Sequence, residues 1–110
     1  MKIRQIVDEL NLEVVVADNL DLEITGGYTG DLLSNVMAQA CAGDLWFTIQ
    51  AHQNVVAVGL LVEVAGIVIA EDVAIDEETI ERAEEEGINL LRSSQSSYEL
   101  SGRLYQLGVE

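Results

Sequence analysis

Ile3, Ile6, Val7 and Leu10 recur at i, i+3, i+4 and i+7, so residues 2–10 predict a short helix with one buried stripe, ended by Asn11. The period then changes to two. Leu12, Val14 and Val16 alternate along one predicted strand, and Leu20, Leu22 and Ile24 alternate with Asp21, Glu23 and Thr25 along another. Asp18-Asn19 between them has turn chemistry, so the two runs predict a β-hairpin.

After the segment Gly26-Gly27-Tyr28-Thr29-Gly30-Asp31, helical spacing returns at Leu32, Leu33, Val36, Met37 and Ala40, and Ala42-Gly43-Asp44 closes that helix. Leu45 to Ile49 reads as a buried strand. Val55 to Val64 is apolar on every side, which periodicity alone assigns to neither strand nor helix; a helix is expected, because Ile67 to Ala70 looks like the next buried strand and two parallel neighbours need a crossover of this length. Asp76 can cap a further helix whose first turn holds Glu77 and Glu78, with Ile75 and Ile80 at the spacing of a hydrophobic staple and Gly87 as the stop. Ile88 to Leu91 predicts a strand, Ser96 and Glu99 a capping box, and Leu100, Leu104 and Leu107 a last helix ending at Gly108. The whole is expected to be one α/β domain over residues 1–110, a small mostly parallel sheet flanked by helices with an N-terminal helix and β-hairpin.

Composition narrows the function. Of the 110 residues 49% are hydrophobic but only 5% aromatic, so Val, Leu, Ile and Ala must fill the core. Twenty acids against five bases give a net charge of −15, with no Lys/Arg cluster, which argues against nucleic acid and anionic membrane as partners. Nine of the acids lie between Glu71 and Glu86, a pattern read as a solvated helix face before a docking face for a basic partner. No apolar run reaches the ~18 residues that span a bilayer, and the N-terminus has helical spacing in place of a signal peptide's apolar core, so a cytoplasmic location is expected. Cys41 is the only cysteine, which leaves no internal disulfide.

The glycine-rich segment raises the question of a phosphate cradle. A phosphate-transferring loop needs G-x-x-x-x-G-K-[ST], and Gly26, Gly27, Thr29, Gly30 and Asp31 provide neither that spacing nor the lysine; Lys2 is the only lysine. Gly26, Gly27 and Gly30 are therefore read as tight-turn and close-packing residues, with Thr29 able to cap the following helix and Asp31 in its first turn, where its carboxylate occupies the positive helix end. Asp31 with loop carbonyls as a hard-cation site is the weaker alternative. Cys41 is read as structural and His52, alone in a polar turn, as solvated or hydrogen-bonded rather than catalytic, and no pair of carboxylates has a spacing that singles it out for acid/base work. No catalytic residue, metal site or cofactor is assigned.

Topology places a binding site instead. In open α/β sheets ligands collect beyond the carboxyl ends of the parallel strands, and three such ends lead into Gln50-Ala51-His52-Gln53-Asn54, into Glu71-Asp72, and into Ser93-Ser94-Gln95-Ser96. These amides, hydroxyls and imidazole suit a neutral or weakly charged small molecule, or a nucleotide whose charge a metal offsets; Asn54 and Ser96 can equally act as helix caps.

From about Leu45 onward, the order WFTIQAHQNVVAVGLLVEVAGIVIAEDVAIDEETIERAEEEGINLLRSSQSSYELSGRL, and within it the register ERAEEEGINLL, resembles a DRTGG domain, the small regulatory module of some phosphotransacetylases and of pyrophosphatases with nucleotide-binding regulatory domains. The stand-alone members of that family also match ITGGYTGDLLSNVMAQA, which extends the resemblance over nearly the whole chain. The family's glycines and Asp-Arg pair, expected just after Thr48 to Ile49, are here Gln50-Ala51-His52-Gln53-Asn54. The resemblance implies a fold similar to the N-terminal domain of the kinase that phosphorylates the histidine-phosphocarrier protein, without that enzyme's activity. It also implies a dimerising module and a setting in redox or hydrogen metabolism. A helix apolar all round at 55–64 fits a homodimer, unless the N-terminal hairpin or terminal helix covers it. The expectation is a non-catalytic regulatory module that binds a small molecule or docks a partner protein. The alternative is a small enzyme or phosphotransfer accessory using the His52 loop.

Overall fold

Four βα repeats of the sheet begin only after an N-terminal prelude whose pairing departs from the hydrophobic alternation. In the computed structural model, which describes Met1–Glu110, helix α1 spans Ile3–Leu10, buries Ile3, Ile6 and Leu10, and ends at Asn11, whose φ of 55° is left-handed and whose N–H bonds Val7 O. Strand β1, Glu13–Val16, follows. The expected hairpin does not form: β1 pairs antiparallel with the last strand, and residues 18–25 run as an irregular connection with one isolated bridge, Lys2 to Glu23. Two sets of hydrogen bonds explain why. The buried Asn89 side chain takes the turn: Oδ1 accepts from the N–H of Asp18 (2.8 Å) and Asn19 (2.9 Å), and Nδ2 donates to Asn19 O and Ala65 O. Leu20 O and Leu22 O then accept from the N–H groups of Arg4 and Ile3, the unpaired donors of the first turn of α1. The alternating leucines thus serve a helix end, not a ladder.

The second departure lies at the glycines. Gly26–Thr29 is itself strand β2, not a turn. The glycines are required by close approach: a Cβ at Gly26 would lie 2.7 Å from Asp44 Oδ1, and one at Gly27 2.9 Å from Leu104 Cδ2. Helix α2, Leu33–Gln39, starts at Leu32 without a side-chain cap, so Thr29 does not cap it and Asp31 lies outside its first turn. Only Val36 of that helix is buried; Leu32 and Met37, expected on its packed face, are exposed.

From there the expected alternation holds. Strand β3 (Asp44–Thr48), helix α3 (Asn54–Val62), strand β4 (Gly66–Ile69), helix α4 (Glu77–Glu86), strand β5 (Leu90–Arg92) and helix α5 (Ser97–Gln106) follow in order. Gly87 ends α4 with φ of 75°, and Ser96 Oγ caps α5 by accepting the Glu99 N–H at 3.1 Å, whereas Asp76 makes no side-chain cap bond. The sheet order is β1-β5-β4-β3-β2, with β2 to β5 parallel and β1 antiparallel at one edge. This is a mixed, mostly parallel α/β sheet flanked by five helices, as the alternation predicts.

Because successive crossovers step the same way across the sheet, α2, α3 and α4 stack on one face, and α1 and α5 cover the other. The strands alternate accordingly: Leu45, Phe47, Val68 and Leu91 pack toward α1 and α5, while Trp46, Ile67, Ile69 and Leu90 pack toward α2 to α4. The apolar helix α3 is covered within the chain, flanked by α2 and α4 and not by the two segments expected to cover it; Leu61 is its one large side chain left in solvent, at 69% exposure. No helix is long and apolar enough to cross a membrane.

Candidate functional site at the carboxyl edge

The four parallel strands end at one edge, where neighbouring ends are tied in register: Gly30 N–H to Phe47 O, Ala70 N–H to Thr48 O, Ser93 N–H to Ile69 O. After β4 the chain turns to α4 on one face; after β5 it turns to α5 on the other. Adjacent strands whose continuations part to opposite faces open a crevice between them, the place where α/β sheets take ligands.

A polar cleft of about 240 Å³ lies there, lined by Asn11, Glu13, Asp72, Arg92, Ser93 and Ser94. Arg92 is its centre. Its Nε donates to Val73 O at 3.0 Å and an Nη to Asp72 O at 2.9 Å, and its guanidinium lies 3.1 Å from the Asp72 carboxylate and 3.6 Å from that of Glu13, its cross-strand neighbour on β1. Two backbone carbonyls thereby fix the fork, while its side chain stays 27% exposed. The floor is held by Gln95. Its Nε2 donates to Leu10 O and to Ser93 Oγ, its N–H to the same Oγ, and its Oε1 accepts from Arg103, which also bonds Glu9 O at the end of α1. The Ser94 N–H is unused within the chain.

The wall formed by the loop after β4 has an unusual backbone. Glu71 and Asp72 are consecutive left-handed residues, φ 61° and 58°, a conformation that favours glycine. Their N–H groups bond Gln95 O and Ser93 O, so the loops after β4 and β5 are laced together. The glycine-like backbone of this edge is therefore in the loop after β4, not in Gln50 to Asn54.

The expected site residues divide into two groups. Ser93 and Ser94 line the cleft, Glu71 backs it through its N–H, and Ser96 caps α5 just beyond. Gln50, His52, Gln53 and Asn54 form a separate cluster at the entry to α3. Gln50 Nε2 donates to Asp31 O, His52 Nδ1 accepts the Asn54 N–H at 3.5 Å, and Thr79 donates to Ala51 O to fasten this loop to α4. Gln53, not Asn54, is the N-cap position of α3, and it faces a shallow acidic groove with Glu78, Glu81, Arg82, Glu85 and Glu86. Asp72 belongs to the expected loop after β4 and does line the cleft, whereas no local signal singles out Asn11, Glu13 or Arg92. Glu13, with Asn11 just before it, reaches Arg92 only because β1 pairs with β5, which the hairpin expectation hid.

The glycine segment makes no phosphate cradle, being a strand. Gly26 and Gly27 lie in β2, Thr29 Oγ1 shares a hydrogen bond with Ser101 at 2.6 Å, and Gly30 O accepts from Trp46 Nε1. Asp31 Oδ1 accepts from Thr48 Oγ1 and the Ile49 N–H, both at 2.9 Å, which ties the end of β2 to that of β3. Cys41, expected to be structural, is exposed.

With this geometry in view, the molecule is similar to a solved structure of the CBS and DRTGG domains of the regulatory region of Clostridium perfringens pyrophosphatase, complexed with its activator diadenosine tetraphosphate. The TM-score is 0.70 at 16% identity, over 96% of this chain. The fold is CBS/DRTGG-like. At that identity the likeness is one of fold alone, and the chain spans 46% of the length of the structure it matches. The region it resembles is regulatory. No protein-family model matches the sequence, and no curated protein matches it.

Proposed function

We propose that residues 1–110 form one cytoplasmic, non-catalytic regulatory domain that binds a small polar molecule in the cleft between β4 and β5. The observation that carries this reading is Arg92, a cation held rigid by two backbone carbonyls at the topological switch point, beside the Ser93 hydroxyl and the free Ser94 N–H. Charge selects the ligand class. With Glu13 and Asp72 facing Arg92, the cleft carries one net negative charge, so it favours a neutral or zwitterionic molecule, or a nucleotide whose phosphates arrive with a divalent cation. The diadenosine tetraphosphate bound by the similar regulatory region supports a nucleotide as the first compound to try.

A homodimer belongs to the same proposal. Helices α2 and α3 pack side by side, and Leu32 (68%), Leu61 (69%) and Met37 (44%) stay exposed on or beside them. Each large aliphatic side chain left in water forgoes roughly 1.5–3 kcal/mol of burial, which a second copy on this face would recover. The setting in redox or hydrogen metabolism rests on the family resemblance.

Thermal melting with diadenosine tetraphosphate or ATP, each with and without Mg²⁺, tests the reading. A saturable rise in melting temperature that requires the metal, with no product formed, is expected. Steady release of ADP or phosphate would point instead to the small enzyme built on His52.

A further inference from the structure

The two edges of the sheet are not equally protected. On β1 the register slips between Val14 and Val16, an irregularity of the kind that turns an edge away from new partners. On β2 the register is regular from Gly26 to Thr29, with no Lys, Pro or slip. The Gly30 N–H bonds Phe47 O across the ladder, and alternate residues of a parallel strand face the same neighbour, so Tyr28 and Gly30 face β3 while Gly27 and Thr29 face away. The N–H and C=O of those two residues form an open hydrogen-bonding edge.

Beside that edge, on the α5 face, is a cleft of about 200 Å³ lined chiefly by Gly27, Thr29, Phe47, Leu104, Tyr105 and Val109. It exists because residue 27 lacks a side chain: a Cβ there would meet Leu104. An open edge with an apolar cleft alongside is the arrangement by which sheets capture an extended peptide, the backbone giving affinity and the cleft choosing one side chain. We propose that β2 and the cleft under α5 dock an extended segment of a partner protein, which adds as a sixth strand, places one bulky aliphatic side chain between β2 and α5, and carries lysine or arginine on either side.

Two observations choose this occupant. A second copy pairing through its own β2 would present Gly27 and Thr29 on the α5 face, one without a side chain and the other already bonded to Ser101, so it would leave the cleft unfilled. The basic flanks follow from charge. The chain carries −15, Glu110 lines the cleft, and none of its five basic residues does. The inference is independent of the cleft at Arg92.

The test uses the blocked peptide Lys-Thr-Leu-Thr-Lys on the full chain, followed by amide NMR and by the fluorescence of Trp46, whose Nε1 bonds Gly30 O at the end of β2. Binding should shift the Gly27 and Thr29 amides and slow their exchange, leaving Tyr28 and Gly30, already bonded to β3, unchanged. Methylating the peptide nitrogens removes donors without touching the protein. Of two forms, methylated at the leucine or at both threonines, one should bind and the other should not. Replacing the leucine by alanine should weaken binding at least tenfold, about one lost anchor. In the protein, Thr29→Pro removes one outward N–H and should weaken binding about tenfold. Equal binding by both methylated forms would overturn the proposal. So would unchanged Gly27 and Thr29 amides at millimolar peptide, or a homodimer that Thr29→Pro separates, since the edge would then belong to a second copy.

Discussion

The amino and carboxyl ends of the sheet use polar side chains in opposite ways. At the amino end, the buried Asn89 makes four hydrogen bonds, all to the chain's own backbone, and the Asp44 carboxylate accepts the Cys41 N–H while lying against Gly26. Neither Asn89 nor Asp44 lines a cleft, and no buried side-chain polar atom in the molecule lacks a partner. At the carboxyl end the polar groups line open space. Arg92 is anchored to backbone on one side and faces Glu13, Ser93 and Ser94 on the other, with the two left-handed residues Glu71 and Asp72 as a wall. Polar groups fully satisfied by the chain hold loops in place; polar groups fixed by the chain but left facing a cavity are available to something else.

The contrast is broken most severely at Asn89. Asn89→Ala would strand the Asp18 and Asn19 N–H groups and Ala65 O, and should cost about 3 kcal/mol in urea unfolding, since each orphaned buried group costs roughly 1–3 kcal/mol and the turn can partly rehydrate. Its affinity for a Mg²⁺-nucleotide, measured on the folded fraction, should not change. Arg92→Met should do the reverse. Stability should fall by about 1 kcal/mol, because the carbonyls of Asp72 and Val73 are near enough to solvent to find water, while the melting shift with nucleotide disappears. Ser94→Ala is the finest probe: stability should stay within about 0.5 kcal/mol, as for an exposed site, with a few-fold loss of affinity by calorimetry. An Asn89 variant that loses nucleotide binding while folded, or an Arg92 variant that keeps it, would erase the distinction between the two ends.

The sequence discloses some of this and hides the rest for identifiable reasons. Helices α1, α3, α4 and α5 and strands β3 and β4 are legible because periodicity, Gly87 and the Ser96 cap are local signals. The hairpin was not excluded by any local signal. Asn89, far along the chain, captures the Asp18-Asn19 turn, and the N–H groups of α1 take the carbonyls that a second strand would have used. Gly26 and Gly27 read as a turn because glycine usually marks one, yet here glycine admits Asp44 and Leu104 to a strand. Strand order alone places Ser93 and Ser94 at the carboxyl edge, whereas Arg92 and Glu13 come together only through the antiparallel pairing of β1 with β5.

The most direct test of ligand binding at the carboxyl edge is an amide NMR titration of the full chain with diadenosine tetraphosphate and Mg²⁺. The account predicts saturable shifts concentrated at Glu71, Asp72 and Arg92 to Ser96, with the amides of Asp18, Asn19 and Asn89 unmoved and the nucleotide intact afterwards. Shifts centred on Gln50 to Asn54, or hydrolysis of the nucleotide during the titration, would contradict it.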